Sequence, residues 1–412
     1  MVYKLTGPAL ISTSIKLPAS KSISNRALII HALSKGSNVL SNLSDCDDTK
    51  VMIRALRDMP EIIDVHASGT AMRFLTAYLS LVPGTHIITG TERMKHRPIK
   101  VLVDTLRALG ANIEYNGEEG FPPLRITGRN GNEWNRAIEL PGNVSSQYIS
   151  ALLMIGPYLK EGLNIKLLGD IVSKPYINLT LDLMNQFGGK ADWVGETLLT
   201  VKPQPYKDIP FTIESDWSAA SYWYEMIALS RSADSEIKLK GLFKNSSQGD
   251  SEVAWIFNQL GVQTEFSDDE VIIKKGGTKP LRFEYNFINQ PDLAQTFAVT
   301  CAMMDIPFNF NGLQSLKIKE TDRLTALVTE LKKLGISAVQ DLESVITWKG
   351  DHIKPSETPI NTYEDHRMAM AFAPAGLIMK DVQINNPEVI SKSYPHYWED
   401  LKQAGFNIEE NE

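Results

Sequence analysis

Along the chain one arrangement of apolar and polar positions recurs: an amphipathic helical stretch, a glycine at its end, then two short alternating stretches joined by a polar turn. The helix ends read Leu106-Arg107-Ala108-Leu109-Gly110, Met184-Asn185-Gln186-Phe187-Gly188, Phe257-Asn258-Gln259-Leu260-Gly261, Leu331-Lys332-Lys333-Leu334-Gly335 and Leu401-Lys402-Gln403-Ala404-Gly405. Successive glycines stand 78, 73, 74 and 70 positions apart. Glycine suits the left-handed position that stops a helix, and the alternating pairs that follow, such as 262–266 with 271–274, predict hairpins. The period exceeds that of stacking solenoid repeats, so each copy reads as a small α/β subdomain.

The pattern is incomplete at two places. The last copy runs out at Phe406-Asn407-Ile408, and its expected partner strand is the alternating stretch Ile11, Thr13, Ile15, Leu17, which places both termini in one domain. Ahead of Gly110, a helix at about 49–57 runs into Met59-Pro60 without a glycine or hairpin, so the first copy is expected to be shortened. Pro203, Pro205 and Pro210 mark one crossing between domains and Lys16-Leu17-Pro18 a second. The expected division is 1–17 with 213–412 as one discontinuous domain and 18–212 as the other. A chain of 412 residues also exceeds what one core usually supports.

Composition narrows the function classes. Lys and Arg number 42 against 49 Asp and Glu, a formal charge of -7, which argues against a nucleic-acid or anionic-membrane surface. The two cysteines, Cys46 and Cys301, form no metal or disulfide pattern and fit a reducing compartment. The N-terminal stretch alternates like a strand instead of resembling a signal peptide, and no apolar run is long enough to span a bilayer. The expected location is the cytoplasm.

Against this acidic background, cations gather beside Ser, Asp and Glu where helices are expected to begin: Ser20-Lys21-Ser22-Ile23-Ser24-Asn25-Arg26, Lys319-Glu320-Thr321-Asp322-Arg323 and Asp365-His366-Arg367-Met368. A cation in the first turn of a helix is unfavourable by about 0.3–1 kcal/mol unless an anion joins it. Such sites therefore imply an anionic guest, bound by unpaired backbone N–H groups and hydroxyls. The candidate cations are Lys21, Arg26, Arg97, Lys319, Arg323, Arg367 and Lys392; the candidate neutral partners are Ser22, Ser145, Ser146, Gln147, Ser173 and Tyr176. This is more charge than one monoanion needs and would balance two phosphorylated or carboxylated ligands. Asp292 and Glu320 lie among the cations, a combination suited to proton transfer. Taken singly, each has a plainer reading. Asp292 could cap a helix, Glu320 and Arg323 could pair on the surface, His366 could be a turn residue, Ser145 to Gln147 and Arg97-Pro98 could merely start helices, and Tyr176 could be core.

Taken together these stretches resemble the 5-enolpyruvylshikimate-3-phosphate (EPSP) synthases. The resemblance covers nearly the whole chain through Leu17 to Arg26, Gly69-Thr70-Ala71-Met72-Arg73, Arg93-Met94-Lys95-His96-Arg97-Pro98, Val144 to Gln147, Val172 to Tyr176, Lys319 to Arg323 and Asp365 to Met370. It implies transfer of the enolpyruvyl group of phosphoenolpyruvate to the 5-hydroxyl of shikimate 3-phosphate, with release of phosphate, on the way to aromatic amino acids. No cofactor and no metal are implied, and a monomer is expected. Carried over, Lys21, Ser22, Arg26, Ser145, Ser146, Ser173, Asp292 and Lys319 would hold shikimate 3-phosphate, with Tyr176 bordering it. Lys21, Gly69, Arg97, Gln147, Arg323, Arg367 and Lys392 would hold phosphoenolpyruvate. Asp292 would take the hydroxyl proton, Glu320 would donate to the methylene carbon and later recover a proton, Lys21 would assist, and His366 would shape the site. The implied fold is a two-domain inside-out α/β barrel of repeated βαβαββ units, with one unit of the middle domain shortened, ligands binding in the cleft and drawing the domains together.

The chain departs from the family at Ala67, where Asn is usual, at Phe74, where Pro often follows the Arg, at Ser315, where some members have Asn, and in a shorter segment before Gly69. The related transferase acting on UDP-N-acetylglucosamine uses a loop Cys as general acid, and none occurs around Lys95 to Arg97. A non-catalytic anion-binding protein is the alternative of a different class.

Overall fold

The computed structural model describes residues 1–129 and 134–411. Two compact units divide the chain, Met1–Pro18 with Glu214–Glu412 and Ala19–Ile213. Each has its own core. Among the described residues, no helix is long and apolar enough to cross a membrane.

Four sheets share one strand order, in which two parallel strands are followed by an antiparallel hairpin. In the second unit Ile62–Asp64 pairs in parallel with Thr85–Thr89, which adjoins the hairpin Asn112–Tyr115/Leu124–Thr127. Ala137–Pro141, Leu163–Leu168 and the hairpin Ala191–Val194/Leu198–Val201 repeat the plan. In the first unit it recurs in Ser12–Lys16, Glu236–Lys240 and Val262–Phe266/Glu270–Lys275. Phe283–Asn286, Phe308–Asn311 and Val339–Asp341/Val345–Trp348 form the fourth copy.

The glycines anticipated at helix ends all adopt positive φ: Gly110 133°, Gly188 79°, Gly261 82°, Gly335 87° and Gly405 98°. Only a residue without Cβ turns there at no steric cost, so the chain reverses at the same place in each copy. Where the first copy would stand, the described residues form a two-stranded sheet, Phe211–Thr212 parallel to Leu40–Ser41. The preceding helix Asp47–Asp58 ends at a left-handed Met59 and leads directly to Ile62–Asp64.

One expectation is corrected. The last strand, Asn407–Asn411, pairs with Val2–Thr6, not with the stretch from Ile11 to Leu17. Val2–Thr6 lies between Val382–Asn385 and Asn407–Asn411, antiparallel to both. The later stretch, Ser12–Lys16, leads the next sheet as the parallel partner of Glu236–Lys240. Both N-terminal segments alternate, and the earlier one reaches the terminal edge while the later one continues toward the boundary of the unit.

A helix that is apolar on every side must be enclosed. In Trp217–Leu229 all residues but Ser218 are buried, and in Ser146–Ile155 all from Tyr148 onward are buried. The second helix packs against Lys21–Ser34, Gly69–Leu81 and Lys174–Gln186, and the first against Val253–Asn258 and Ala294–Met303. Enclosing a Leu such as Leu152, which is fully buried, contributes about 1.5–3 kcal/mol.

Candidate active site

In the first unit the charged motifs converge on two carboxylates. Arg323 opens the helix Arg323–Lys333, whose first turn is capped by Asp322 through the N–H groups of Leu324 and Thr325, both at 3.2 Å. Its side chain is 2% exposed, and each of its three nitrogens donates to a carboxylate. Nε donates to Asp365 Oδ2 at 2.6 Å, Nη1 to Asp292 Oδ1 at 3.0 Å, and Nη2 to Glu320 Oε2 at 2.9 Å and Asp365 Oδ1 at 3.2 Å. Arg367 Nη2 donates to Asp292 Oδ2 at 3.0 Å, and its Nη1 reaches the Asp292 carbonyl at 3.2 Å and Tyr222 Oη at 3.5 Å. Lys319 Nζ lies 3.6 Å from Asp292 Oδ1, and Lys392 Nζ lies 2.8 Å from Glu320 Oε1. Asp292 thus faces Arg323, Arg367 and Lys319, Glu320 faces Arg323 and Lys392, and each carboxylate side chain retains 16% exposure.

The electrostatics follow from this packing. Burial would push the Asp292 carboxyl up, but Arg367, Lys319 and Arg323 outweigh it and hold the group well below the ordinary carboxylate range. Burial lowers the Lys319 ammonium more than Asp292 raises it. Behind the pair sits Asp250, 4% exposed, whose carboxyl is pushed up to about 6 by burial and then by the Asp292 charge, while Arg367 pulls the other way. Ser218 Oγ donates to it. His366 is buried with Nδ1 3.7 Å from Asp365 Oδ1.

In the second unit four helix starts meet. Arg26 joins three of them: Nε donates to Thr180 Oγ1 at 2.7 Å, Nη1 to the Ser22 carbonyl at 2.9 Å, and Nη2 to Ser150 Oγ at 3.2 Å and the Tyr176 carbonyl at 3.4 Å. Its guanidinium also lies 5.3 Å from the Phe74 ring centroid, and burial lowers it to about 10. Arg26 is therefore turned into the core at 2% exposure and locks Ser22, Ser150 and Tyr176 in place. Phe74 is absorbed in the same stack. Lys21 opens its helix, capped by Ser20 Oγ accepting from Ile23 N, and its Nζ lies 3.6 Å from Asp48. Ser145 Oγ accepts from Gln147 N at 3.4 Å, so Ser145, Ser146 and Gln147 form one helix start. Ser173, left-handed at φ 54°, precedes Lys174–Gln186, and Tyr176 lies in that helix's first turn.

The fourth start, Gly69–Leu81, explains its glycine. A Cβ at Gly69 would lie 2.5 Å from Arg73 Nη1 and 2.9 and 3.0 Å from Arg97 Nη1 and Nη2. Absence of a side chain lets two guanidiniums close over the helix N-terminus, a place already favourable to anions. Arg73 Nη1 donates to Gln147 Oε1 at 2.7 Å, and Gln147 Nε2 donates to Thr70 Oγ1 at 3.0 Å.

All the expected residues of the first unit, Asp292, Lys319, Glu320, Arg323, His366, Arg367 and Lys392, fall in one cluster. Those of the second unit lie at the four helix starts, with Arg26 beneath them. Sequence reasoning quoted Thr70, Arg73 and Asp365 within motifs without giving them a role, and it did not name Asp250 or Tyr222. For Arg73 there was a signal, its spacing of four from Gly69, which puts both on one helical face.

A family profile described as EPSP synthase (3-phosphoshikimate 1-carboxyvinyltransferase) matches residues 5–63 and 58–401. The chain is 60% identical over 415 residues to a 3-phosphoshikimate 1-carboxyvinyltransferase of Bacteroides fragilis (strain YCH46), covering 100% of both. It is 37% identical to one of Vibrio cholerae (strain M66-2), covering 96% of this chain and 97% of the relative. An EPSP synthase structure from Acinetobacter baumannii superimposes with a TM-score of 0.78 at 22% identity over 100% of both chains, a likeness of fold.

Proposed function

The chain belongs to the EPSP synthase family, and on that premise we propose how its residues divide the reaction. The enzyme transfers the enolpyruvyl group of phosphoenolpyruvate to the 5-hydroxyl of shikimate 3-phosphate, releasing phosphate, in aromatic amino acid biosynthesis. Each unit is taken as three βαβαββ copies around an enclosed helix, an inside-out barrel, with the copy at 40–58 and 211–212 reduced. The support for this is the strand order common to four sheets.

The observation that carries the mechanism is that Asp292 and Glu320 are held by overlapping cations, so a bound anion must loosen both. Shikimate 3-phosphate takes its phosphate contacts from Ser145, Ser146 and Ser173 at helix starts, with Lys21 and Ser22 beside them and Tyr176 at the border. Arg26 acts through the residues it anchors. Lys319 and Asp292 take the ring hydroxyls. Phosphoenolpyruvate is bound by Lys21, Arg97, Gln147 and the Gly69 helix start, and by Arg323, Arg367 and Lys392, with Arg73 orienting Gln147.

The ligand's anionic groups compete with Glu320 for Arg323 and Lys392, and the carboxyl that loses two cations becomes basic enough to hold a proton. Glu320 then gives that proton to the methylene carbon, which becomes a methyl group, while the 5-hydroxyl oxygen bonds to the adjacent carbon. Asp292 receives the hydroxyl proton, its basicity restored as Lys319 and Arg367 turn to the ligands. In the second half Glu320 removes a proton from the methyl group, the double bond re-forms, and the C–O bond to phosphate breaks, with Lys21 assisting the leaving group. His366, buried beside Asp365, shapes the site.

The test is phosphate release measured with both substrates together and with each alone. Release is expected only with both, and to fall in Asp292→Asn and Glu320→Gln while ligand binding persists. Binding of both substrates by the unaltered chain without release would favour the non-catalytic reading.

A further inference from the structure

Away from the Asp292 cluster, the first unit carries a pocket of about 380 Å³ lined by three aromatic residues, Trp217, Trp255 and Phe266, and sharing no residue with that cluster. Trp255 is 58% and Phe266 38% exposed. Trp217 is fully buried, its ring centroid 6.3 Å from that of Phe266, and its indole N–H has no hydrogen-bond partner among the described residues. Leaving aromatic surface in water costs about 25 cal/mol per Å², and aromatic surface gathered around a concavity marks a place where something binds. The volume lies at the low end of the range of about 300–1,000 Å³ typical of small-molecule pockets, enough for one ring and a short polar tail.

The charges at the same pocket define that tail. Lys244 and Glu252 both line it, and neither enters a salt bridge among the described residues. A single cation and a single carboxylate match a ligand with one negative and one positive group, and they disfavour a phosphate, which would meet Glu252 without compensation. A ring carried within a peptide would bring only neutral amides to both. Asn258 adds a side chain able to donate and accept.

We propose that this pocket binds a free aromatic amino acid as its zwitterion. The ring lies against Trp255 and Phe266 over Trp217, the carboxylate meets Lys244, and the ammonium meets Glu252.

The experiment is calorimetric titration of the full chain with L-phenylalanine, with L-alanine, phenylacetate and phenethylamine as comparators, repeated on Trp255→Ala and Lys244→Gln. Both positions are exposed, and thermal melting checks that each variant is folded. Saturable one-to-one binding of L-phenylalanine is expected, weakened at least about tenfold by Trp255→Ala and several-fold by Lys244→Gln. Phenylacetate and phenethylamine should each bind more weakly than L-phenylalanine, and L-alanine should not bind. Absence of saturable L-phenylalanine binding, binding indifferent to both substitutions, or phenylacetate binding as tightly as the amino acid would overturn the proposal.

Discussion

Arg367 grips Asp292 at two points, donating from Nη2 to the carboxylate Oδ2 at 3.0 Å and from Nη1 to the backbone carbonyl of the same residue at 3.2 Å. The carboxylate is thereby fixed in position as well as in charge. Asp292→Asn keeps the shape and removes the base. Activity should drop about 10²–10⁴-fold, the usual contribution of a positioned proton acceptor. The variant should also lose about 3 kcal/mol of stability, because Arg367, Arg323 and Lys319 each lose one of the carboxylates that face them. Steady-state rates and urea unfolding measure the two effects separately.

Glu320 shares Arg323 with Asp292 and Asp365, so an arriving carboxylate cannot bind Arg323 without displacing a protein acid. The pH profile should register this. The limb assigned to Glu320 is expected at higher pH in kcat, which reports the bound state, than in kcat/KM, which reports the free enzyme. Glu320→Gln should abolish the limb. Superimposable limbs would show that ligand charge does not reach this carboxyl.

Gly69→Ala places a methyl group within 3.0 Å of both Arg73 and Arg97. Those side-chain ends can yield, so the fold should survive, but the two guanidiniums would part. The expected result is KM for phosphoenolpyruvate raised about tenfold with kcat little changed, the signature of lost uniform binding.

Asp292 and Asp250 act on stability in different pH windows. The depressed Asp292 carboxyl contributes stability present above its unfolded value near 4, which is lost as pH falls toward its folded value. Asp250 runs the other way. With a folded value of about 6, its ionisation opposes folding, so stability declines as pH rises from about 4 to 6, by on the order of 3 kcal/mol. Asp250→Asn should gain on the unaltered chain across that window, as read by urea midpoints at pH 4.5 and pH 7.

Much of the architecture was legible because its signals are local. Gly110, Gly188, Gly261, Gly335 and Gly405 announce helix ends within a few residues of sequence, and each takes positive φ. The pairing of Val2–Thr6 with Asn407–Asn411 was not legible, since two alternating N-terminal segments compete for one distant edge and nothing local tells them apart. In the site, the motif charges stood out against the apolar helices that carry them. Asp365 did not, because it serves as a cap, accepting from Arg367 N at 2.9 Å, and the same carboxylate also anchors Arg323. Arg26 was visible as a cation, but its burial under Phe74, Thr180 and Ser150 depends on helices far apart in sequence.

The claim that Glu320 first protonates and then deprotonates one carbon is tested most directly by running the reaction in D₂O at low conversion and examining the product by mass spectrometry. A carbon that passes through a methyl group acquires solvent deuterium, so product with label in its vinyl CH₂ group is expected. Product formed at the normal rate with no deuterium at that carbon would contradict the account.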